Sequence, residues 1–377
     1  MACVPSERVF LLGAGFSRAI SSGMEPPERM PNMLELSDAV VENLRANGRS
    51  EIRGLGTPLM KNFEQWLSYL VETPPWLSEA EQARNRADFL DVSLAVHEVL
   101  EARQRLTVMR NPCPDWLIRL VQKWHELEET VITFNYDQFV ELAWLRHTPD
   151  PIPADRKRGS IDLYPVPLAP VGARVGNVEV FNAGGLMILN VSPPPDGLKL
   201  LKLHGSLGWW YSGPNSPPGD MVYDTGLDGS AWSVAGIGPA GPTLADRLTV
   251  DRQPMIVPPA AVKSAYYNNR TLQALWEKAA EALNKAKELV IMGFSLPATD
   301  MLVSSMLCTN FRLTDDSRIV PVDFGNPDSA NAADFGDTIV GRICKTFDIE
   351  KDDPRIITEY VDLGDAAIPT WVETFTG

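Results

Sequence analysis

The chain has 377 residues, 44% hydrophobic and 22% charged, the composition of a folded globular protein rather than a disordered one. Its 34 basic and 49 acidic residues leave a formal net charge of −15, which repels a nucleic-acid backbone and disfavours nucleic acid as the main substrate. The sequence contains no apolar run long enough for a membrane span and MACVPSERVF has no signal-peptide pattern, so a cytoplasmic protein is expected.

In chain order, Val9-Phe10-Leu11-Leu12 predicts a short buried strand that ends in the turn Gly13-Ala14-Gly15-Phe16-Ser17 and a helix start. Residues 33–127 carry mostly helical periodicity, punctuated by Pro74-Pro75 and by Pro112 and Pro114, and are expected to form a helical insertion. The next strand, Thr130-Val131-Ile132-Thr133-Phe134, stops at Asn135-Tyr136-Asp137 and is followed by helical residues 139–145. Residues 148–198 lose the helical period and read as a loop- and β-rich insertion, with short strands at Val178-Glu179-Val180-Phe181 and Met187-Ile188-Leu189. Leu200-Leu201-Lys202-Leu203 predicts a strand ending at His204-Gly205-Ser206, and the Gly/Pro-rich stretch 213–242 a loop.

The last third alternates again. An amphipathic helix is expected over 271–286, a strand at Leu289-Val290-Ile291-Met292 with the turn Gly293-Phe294-Ser295, and a helix over 300–307. A strand at Ile319-Val320-Pro321-Val322 follows, with Asp323, Asn326 and Asp328 behind it.

Together these elements predict an α/β chain: a Rossmann-like parallel sheet with helices on both faces. That domain is assembled from 1–32, 128–147, 199–212 and 243–377, with a helical insertion at 33–127 and loop- or β-rich insertions at 148–198 and 213–242. Five strands end in small or polar residues, and a parallel sheet gathers such ends on the edge where open α/β folds bind ligands.

A Gly-x-Gly turn lets a pyrophosphate approach the backbone, and the helix behind it favours an anion. A full dinucleotide fingerprint asks for a third glycine where Arg18 stands, and for an acidic residue after a second strand. Prolines and helices occupy that stretch, so a hydride-transferring dehydrogenase fits poorly. Cys3, Cys113, Cys308 and Cys344 form no Cys-x-x-Cys pair, and His97, His125, His147 and His204 have no metal-ligand spacing, so no metal is expected. His97 and His125 read as packing residues, and Asn135 and Asp137 double as candidate caps of the following helix. Trp209-Trp210-Tyr211 reads equally as a stacking platform or as core, and Asp300 as a helix cap before a site residue.

The ordered set Gly13-Ala14-Gly15-Phe16-Ser17, Thr133-Phe134-Asn135-Tyr136-Asp137, Leu203-His204-Gly205, Gly293-Phe294-Ser295 and Asn326-Pro327-Asp328 resembles the motifs of the sirtuin superfamily. It is most similar to the bacterial sirtuin-like branch of anti-phage defence. The resemblance implies binding of NAD as substrate and cleavage of its nicotinamide–ribose bond. It places Gly13, Ala14, Gly15 and Ser17 on the pyrophosphate, with Phe16 in the same cofactor-binding turn. Asn135 and Asp137 fall by the nicotinamide ribose and His204 takes the catalytic position. Gly293 and Ser295 fall on phosphate or the adenosine ribose, and Asn326 on that ribose. Two departures stand out: the four-cysteine zinc module of the deacetylating sirtuins is missing, and Phe134 and Tyr136 replace a glutamine and a small aliphatic residue. The implied reaction is therefore NAD hydrolysis to nicotinamide and ADP-ribose, in abortive infection. Control is expected from homo-oligomer assembly or from a separately encoded ATPase or sensor subunit. The rival readings are a sensor that holds NAD or ADP-ribose without turnover, and an ADP-ribosyl transferase.

Overall fold

The computed structural model describes residues 7–25, 28–147, 160–170, 178–183, 186–191, 197–213, 220–225, 232, 253–260, 263, 266–297, 299–325, 336 and 338–377. In chain order the elements are β1 (Arg8–Leu12), α1 (Ala14–Ile20), α2 (Met33–Ala46), α3 (Phe63–Val71), α4 (Glu79–Arg110), α5 (Asp115–Glu126), β2 (Thr130–Thr133) and α6 (Phe139–His147). Then come β3 (Ala169–Pro170), β4 (Val178–Ala183), β5 (Leu186–Val191), β6 (Lys199–Lys202), β7 (Gly205–Tyr211), β8 (Tyr223–Asp224) and β9 (Gln253–Ile256). The chain closes with α7 (Arg270–Lys285), β10 (Glu288–Met292), α8 (Met301–Asn310), β11 (Arg318–Val322), α9 (Ile339–Phe347) and α10 (Ala367–Thr376).

The main sheet is wholly parallel, in the order β11-β10-β1-β2-β6. Counting only these five strands along the chain, the order is 3-2-1-4-5, that of a Rossmann-like sheet. The apolar runs that mark these strands in the sequence are buried on both faces, as parallel strands between helices must be. On one face α5 packs between α6 and α10; on the other, α8 packs between α7 and α9. Phe10 of β1 anchors the first face, its ring 5.0 Å from Trp124 of α5 and 5.7 Å from both Trp371 and Phe375 of α10. On the second face α7 buries Leu272, Leu275, Ala279 and Leu283, the i, i+3, i+7, i+11 stripe visible in the sequence. Arg8 closes the far end of the sheet, bonding Glu288 at 2.6 Å and Glu129 at 3.1 Å.

The expected helices of the 33–127 stretch are α2 to α5. Capping boxes at Asn32/Glu35 and Ser78/Glu81 start α2 and α4. α2 and α3 pack on α4, whose 32 residues continue past them to β7 and β9. β3, β8, β7 and β9 form a second, mixed sheet, and β4 and β5 pair antiparallel where the sequence placed two strands in the 148–198 stretch. Most of 213–242 lies outside the described residues. Among the described residues no helix is long and apolar enough to cross a membrane.

Candidate functional site

The parallel register brings the carboxyl ends of all five strands level: Leu12 lies beside Met292 and Thr133, Thr133 beside Lys202, and Met292 beside Val322. The sheet's direction of winding reverses between β1 and β10, the crevice where ligands of open α/β sheets bind. The two glycine turns meet there. Gly13 N–H donates to the Met292 carbonyl at 3.1 Å and Gly15 N–H to the Gly293 carbonyl at 2.8 Å. A Cβ on Gly15 would stand 2.7 Å from Gly293 Cα, and one on Gly13 2.6 Å from Phe294 Cα. Both glycines of the Gly-x-Gly turn are thus needed for backbone to touch backbone. Ala14 and Ser295 are exposed at the mouth of this crevice, whereas Phe16 is buried against Trp116 and Trp124.

The end of β2 is tied to the first turn through a short relay. Asn135 Nδ2 donates to the Gly13 carbonyl at 2.8 Å and to Ser17 Oγ at 2.9 Å, and Ser17 Oγ donates to Asp137 Oδ2 at 2.5 Å. Because the Gly13 carbonyl can only accept, the orientation of the Asn135 amide is fixed, and Oδ1 is its remaining polar atom. No donor among the described residues reaches that oxygen. Asp137 is buried; desolvation raises its pKa, against the pull of Lys202 and of the Ser17 hydrogen bond. Its capping of α6 is slight, a 3.4 Å contact from Phe139 N–H to Oδ1.

His204 stands just after β6, where Gly205 at φ +84° begins β7 of the second sheet. Its imidazole is 5% exposed and packs against Phe134, whose ring lies 4.9 Å from it and 4.7 Å from Phe294. His204 Nε2 has no hydrogen-bond partner among the described residues, an unusual state for a buried polar atom. Burial, reinforced by the positive charge of Lys263, pushes the imidazole pKa well below its ordinary value, so the ring is neutral at pH 7. Lys263 itself pairs with Asp300, which occupies the N-cap position of α8 but spends its carboxylate on this ammonium. The backbone around the imidazole is pinned: Val257 N–H donates to the His204 carbonyl at 2.8 Å, and Tyr136 Oη–H to the Val257 carbonyl at 2.5 Å.

The predicted residues therefore divide. Gly13, Gly15, Ser17, Asn135 and Asp137 are joined by contacts or hydrogen bonds, and Gly293 joins them through Gly15; His204 connects through Phe134. Asn326 and Asp328 lie outside the described residues. Asp323, at the end of β11, accepts from Phe324 N–H at 2.8 Å. Trp209 and Tyr211 are core residues of β7, and His97 is buried with its Nε2–H on the Leu207 carbonyl at 2.9 Å.

Lys202 belongs to none of the sequence motifs, yet it is fully buried beside them. Its ammonium donates to the Asp137 carbonyl and, at 3.0 Å, to Glu141 Oε1, which also accepts from Tyr164 at 2.8 Å. The signal was present: Lys199 is exposed at the start of β6, but a charge inside the apolar run Leu200-Leu201-Lys202-Leu203 must find a buried partner. Phe294 and Phe134 were likewise readable as a pair, each being the aromatic residue that directly follows a strand or its glycine.

Chemically, the site offers a neutral imidazole and a carboxamide whose Nε2 and Oδ1 have no hydrogen-bond partner among the described residues, and an aromatic wall. Such groups accept hydroxyl or water protons and exclude bulk solvent. Among the described residues no group of His, Cys, Asp and Glu is arranged to hold a metal. No family model matches the chain, and no curated protein matches it in sequence. Among solved structures, it aligns with one described under the structural basis for the mechanism and regulation of Sir2 enzymes, at 13% identity and TM-score 0.35, over 97% of this chain and 90% of that one. It also aligns with Sir2 bound to the inhibitor EX-527, 2′-O-acetyl-ADP-ribose and a deacetylated p53 peptide, at 13% identity and TM-score 0.31, covering 91% of this chain and 94% of that one. A third alignment, with Sir2Tm bound to a propionylated peptide, has 14% identity and TM-score 0.31 with the same coverage.

Proposed function

We propose that this protein hydrolyses NAD at the nicotinamide–ribose bond, releasing nicotinamide and ADP-ribose, and that it does so in the bacterial cytoplasm to deplete NAD during phage infection. The ordered sequence motifs motivate the reading. The observation that carries it is the orphaned, buried Nε2 of His204, at the end of the strand next to the one that presents Asn135.

The chemistry suits these groups. Nicotinamide departs from a cationic ring as a neutral molecule, so the leaving group needs little proton transfer. The ribose gains oxocarbenium character, and fixed dipoles in a dry pocket stabilise it at no reorganisation cost. Asn135 Oδ1 accepts a hydrogen bond from the attacking water or from a ribose hydroxyl, which orients that oxygen. His204, held neutral, is ready to take the proton as general base, an effect typically worth about 10²–10⁴-fold. Asp137 contributes through Ser17, holding the Asn135 amide in register. Gly13, Ala14, Gly15 and Ser17, with Gly293 and Ser295 opposite, form the turns assigned to the phosphates. Because unrestrained NAD loss would kill the host, assembly into oligomers or a separately encoded ATPase or sensor subunit belongs to the same proposal.

The test is nicotinamide release from NAD by the purified protein, alone and with the products of neighbouring genes. His204→Ala and Asn135→Ala should each reduce release by about 10²-fold or more. Release that persists in both variants overturns the assignment. NAD binding without turnover in every assembly favours a sensor, and radiolabelled ADP-ribose on macromolecules a transferase.

A further inference from the structure

We propose that Lys202 is a positioning residue: its ammonium holds the 135–137 turn in the geometry that leaves the Asn135 carboxamide oxygen open toward the substrate. The kinetic arm of this proposal rests on the NAD-hydrolase reading; the structural arm does not.

Both Lys202 and Glu141 have side chains only 1% exposed. A buried ion pair is a poor source of stability, since apolar residues of the same volume generally replace it at no loss. The pair therefore needs another explanation, and its geometry supplies one. The Lys202 ammonium has a second partner, the backbone carbonyl of Asp137, which lies just past β2 and before α6 begins. An apolar side chain cannot donate to that carbonyl. Glu141, steadied by Tyr164, fixes where the ammonium stands. From the Asp137 backbone the constraint passes outward through atoms already named: Asp137 Oδ2, Ser17 Oγ, and Asn135 Nδ2. With both amide protons directed to Ser17 and Gly13, Oδ1 is turned away from them. The other side of the turn is fixed by Leu207 N–H on the Tyr136 carbonyl at 2.9 Å, so loosening Lys202 frees one side of a clamp and not the whole segment.

The decisive variant is Lys202→Met combined with Glu141→Gln, which removes both charges, keeps the volumes and leaves Tyr164 its acceptor. Lys202→Met alone strands a buried carboxylate and is expected to be unstable. The double variant should stay folded and melt near the wild-type temperature, relief of the buried charges offsetting the unpaired Asp137 carbonyl, with KM unchanged and kcat reduced on the order of 10²-fold, the cost of a small misplacement of a reacting group. Hydrogen exchange without substrate reads the same claim directly. Amides in 135–139 should exchange on the order of tenfold faster, the loss of one charge-assisted hydrogen bond, with α7 unchanged. Wild-type kcat in the double variant, or unaltered exchange at 135–139, overturns the proposal. Faster exchange in the double variant, with a wild type that releases no nicotinamide either alone or in any assembly with neighbouring gene products, supports the role of Lys202 and refutes the hydrolase reading alone.

Discussion

Gly293→Ala tests whether the two turns at the sheet's reversal point must touch. Gly293 has φ +58°, so an alanine there meets the left-handed penalty of about 1–2 kcal/mol, offset by about 0.4–1 kcal/mol from a stiffer unfolded chain. Gly48, at φ +73° after α2, carries the same penalty with nothing within 4 Å of a new Cβ, so Gly48→Ala is an internal reference expected to cost about 1 kcal/mol or less. At Gly293 the added carbon would lie 2.3 Å from Phe16 N and 2.5 Å from Gly15 C, both backbone atoms that cannot rotate away. The turns would have to part. That breaks the 2.8 Å bond from Gly15 N–H to the Gly293 carbonyl, worth about 1 kcal/mol, and adds overpacking of about 1–3 kcal/mol. Gly293→Ala should therefore lose roughly 2–4 kcal/mol more than Gly48→Ala, measured as the difference in urea midpoints at equal m-values. Equal losses in the two variants would refute the reasoning, because the left-handed conformation alone would then explain the glycine.

Two further outcomes follow from named contacts. Burial keeps His204 neutral in the folded chain, so below about pH 6.5 only the unfolded chain takes up its proton and stability falls as the pH drops. Between about pH 7.5 and 5.5 the wild type should lose on the order of 1 kcal/mol more than His204→Gln, read from paired denaturant titrations; parallel losses would show the imidazole to be solvated. Asn269 caps α7, its side chain accepting from Thr271 N–H at 3.0 Å and Leu272 N–H at 3.4 Å, so Asn269→Ala should cost about 1 kcal/mol, and Asn269→Ser much less. Equal losses for alanine and serine would count against the cap.

The sheet was legible because its strands are short apolar runs that stop at glycine, asparagine, histidine or aspartate, a pattern that suits a parallel sheet covered on both faces. Its α/β class and the level row of strand ends followed from that. The hydrogen-bond commitments did not. The family resemblance implies Asn135 and Asp137 beside a ribose, but the sequence carried no information that the Asn135 amide protons go to Gly13 and Ser17, 118 residues away or more. Trp209 illustrates another limit: a Trp-Trp-Tyr run reads equally as platform or core, and burial in β7 depends on β9, more than 40 residues later. Lys202 was visible as an anomaly, but its partners, the Asp137 carbonyl and Glu141, lie more than 60 residues off along the chain and only the fold selects them.

The central strand of the sheet is also the first to be synthesised. Arg8 of β1 is bonded to Glu288 of β10, 280 residues further on. At about 5–20 residues per second of translation, one edge of β1 waits roughly a quarter of a minute to a minute for its neighbour to leave the ribosome. Through that interval one hydrogen-bonding edge of β1 lacks its native partner, and the parallel sheet can close only once β10 and β11 have emerged.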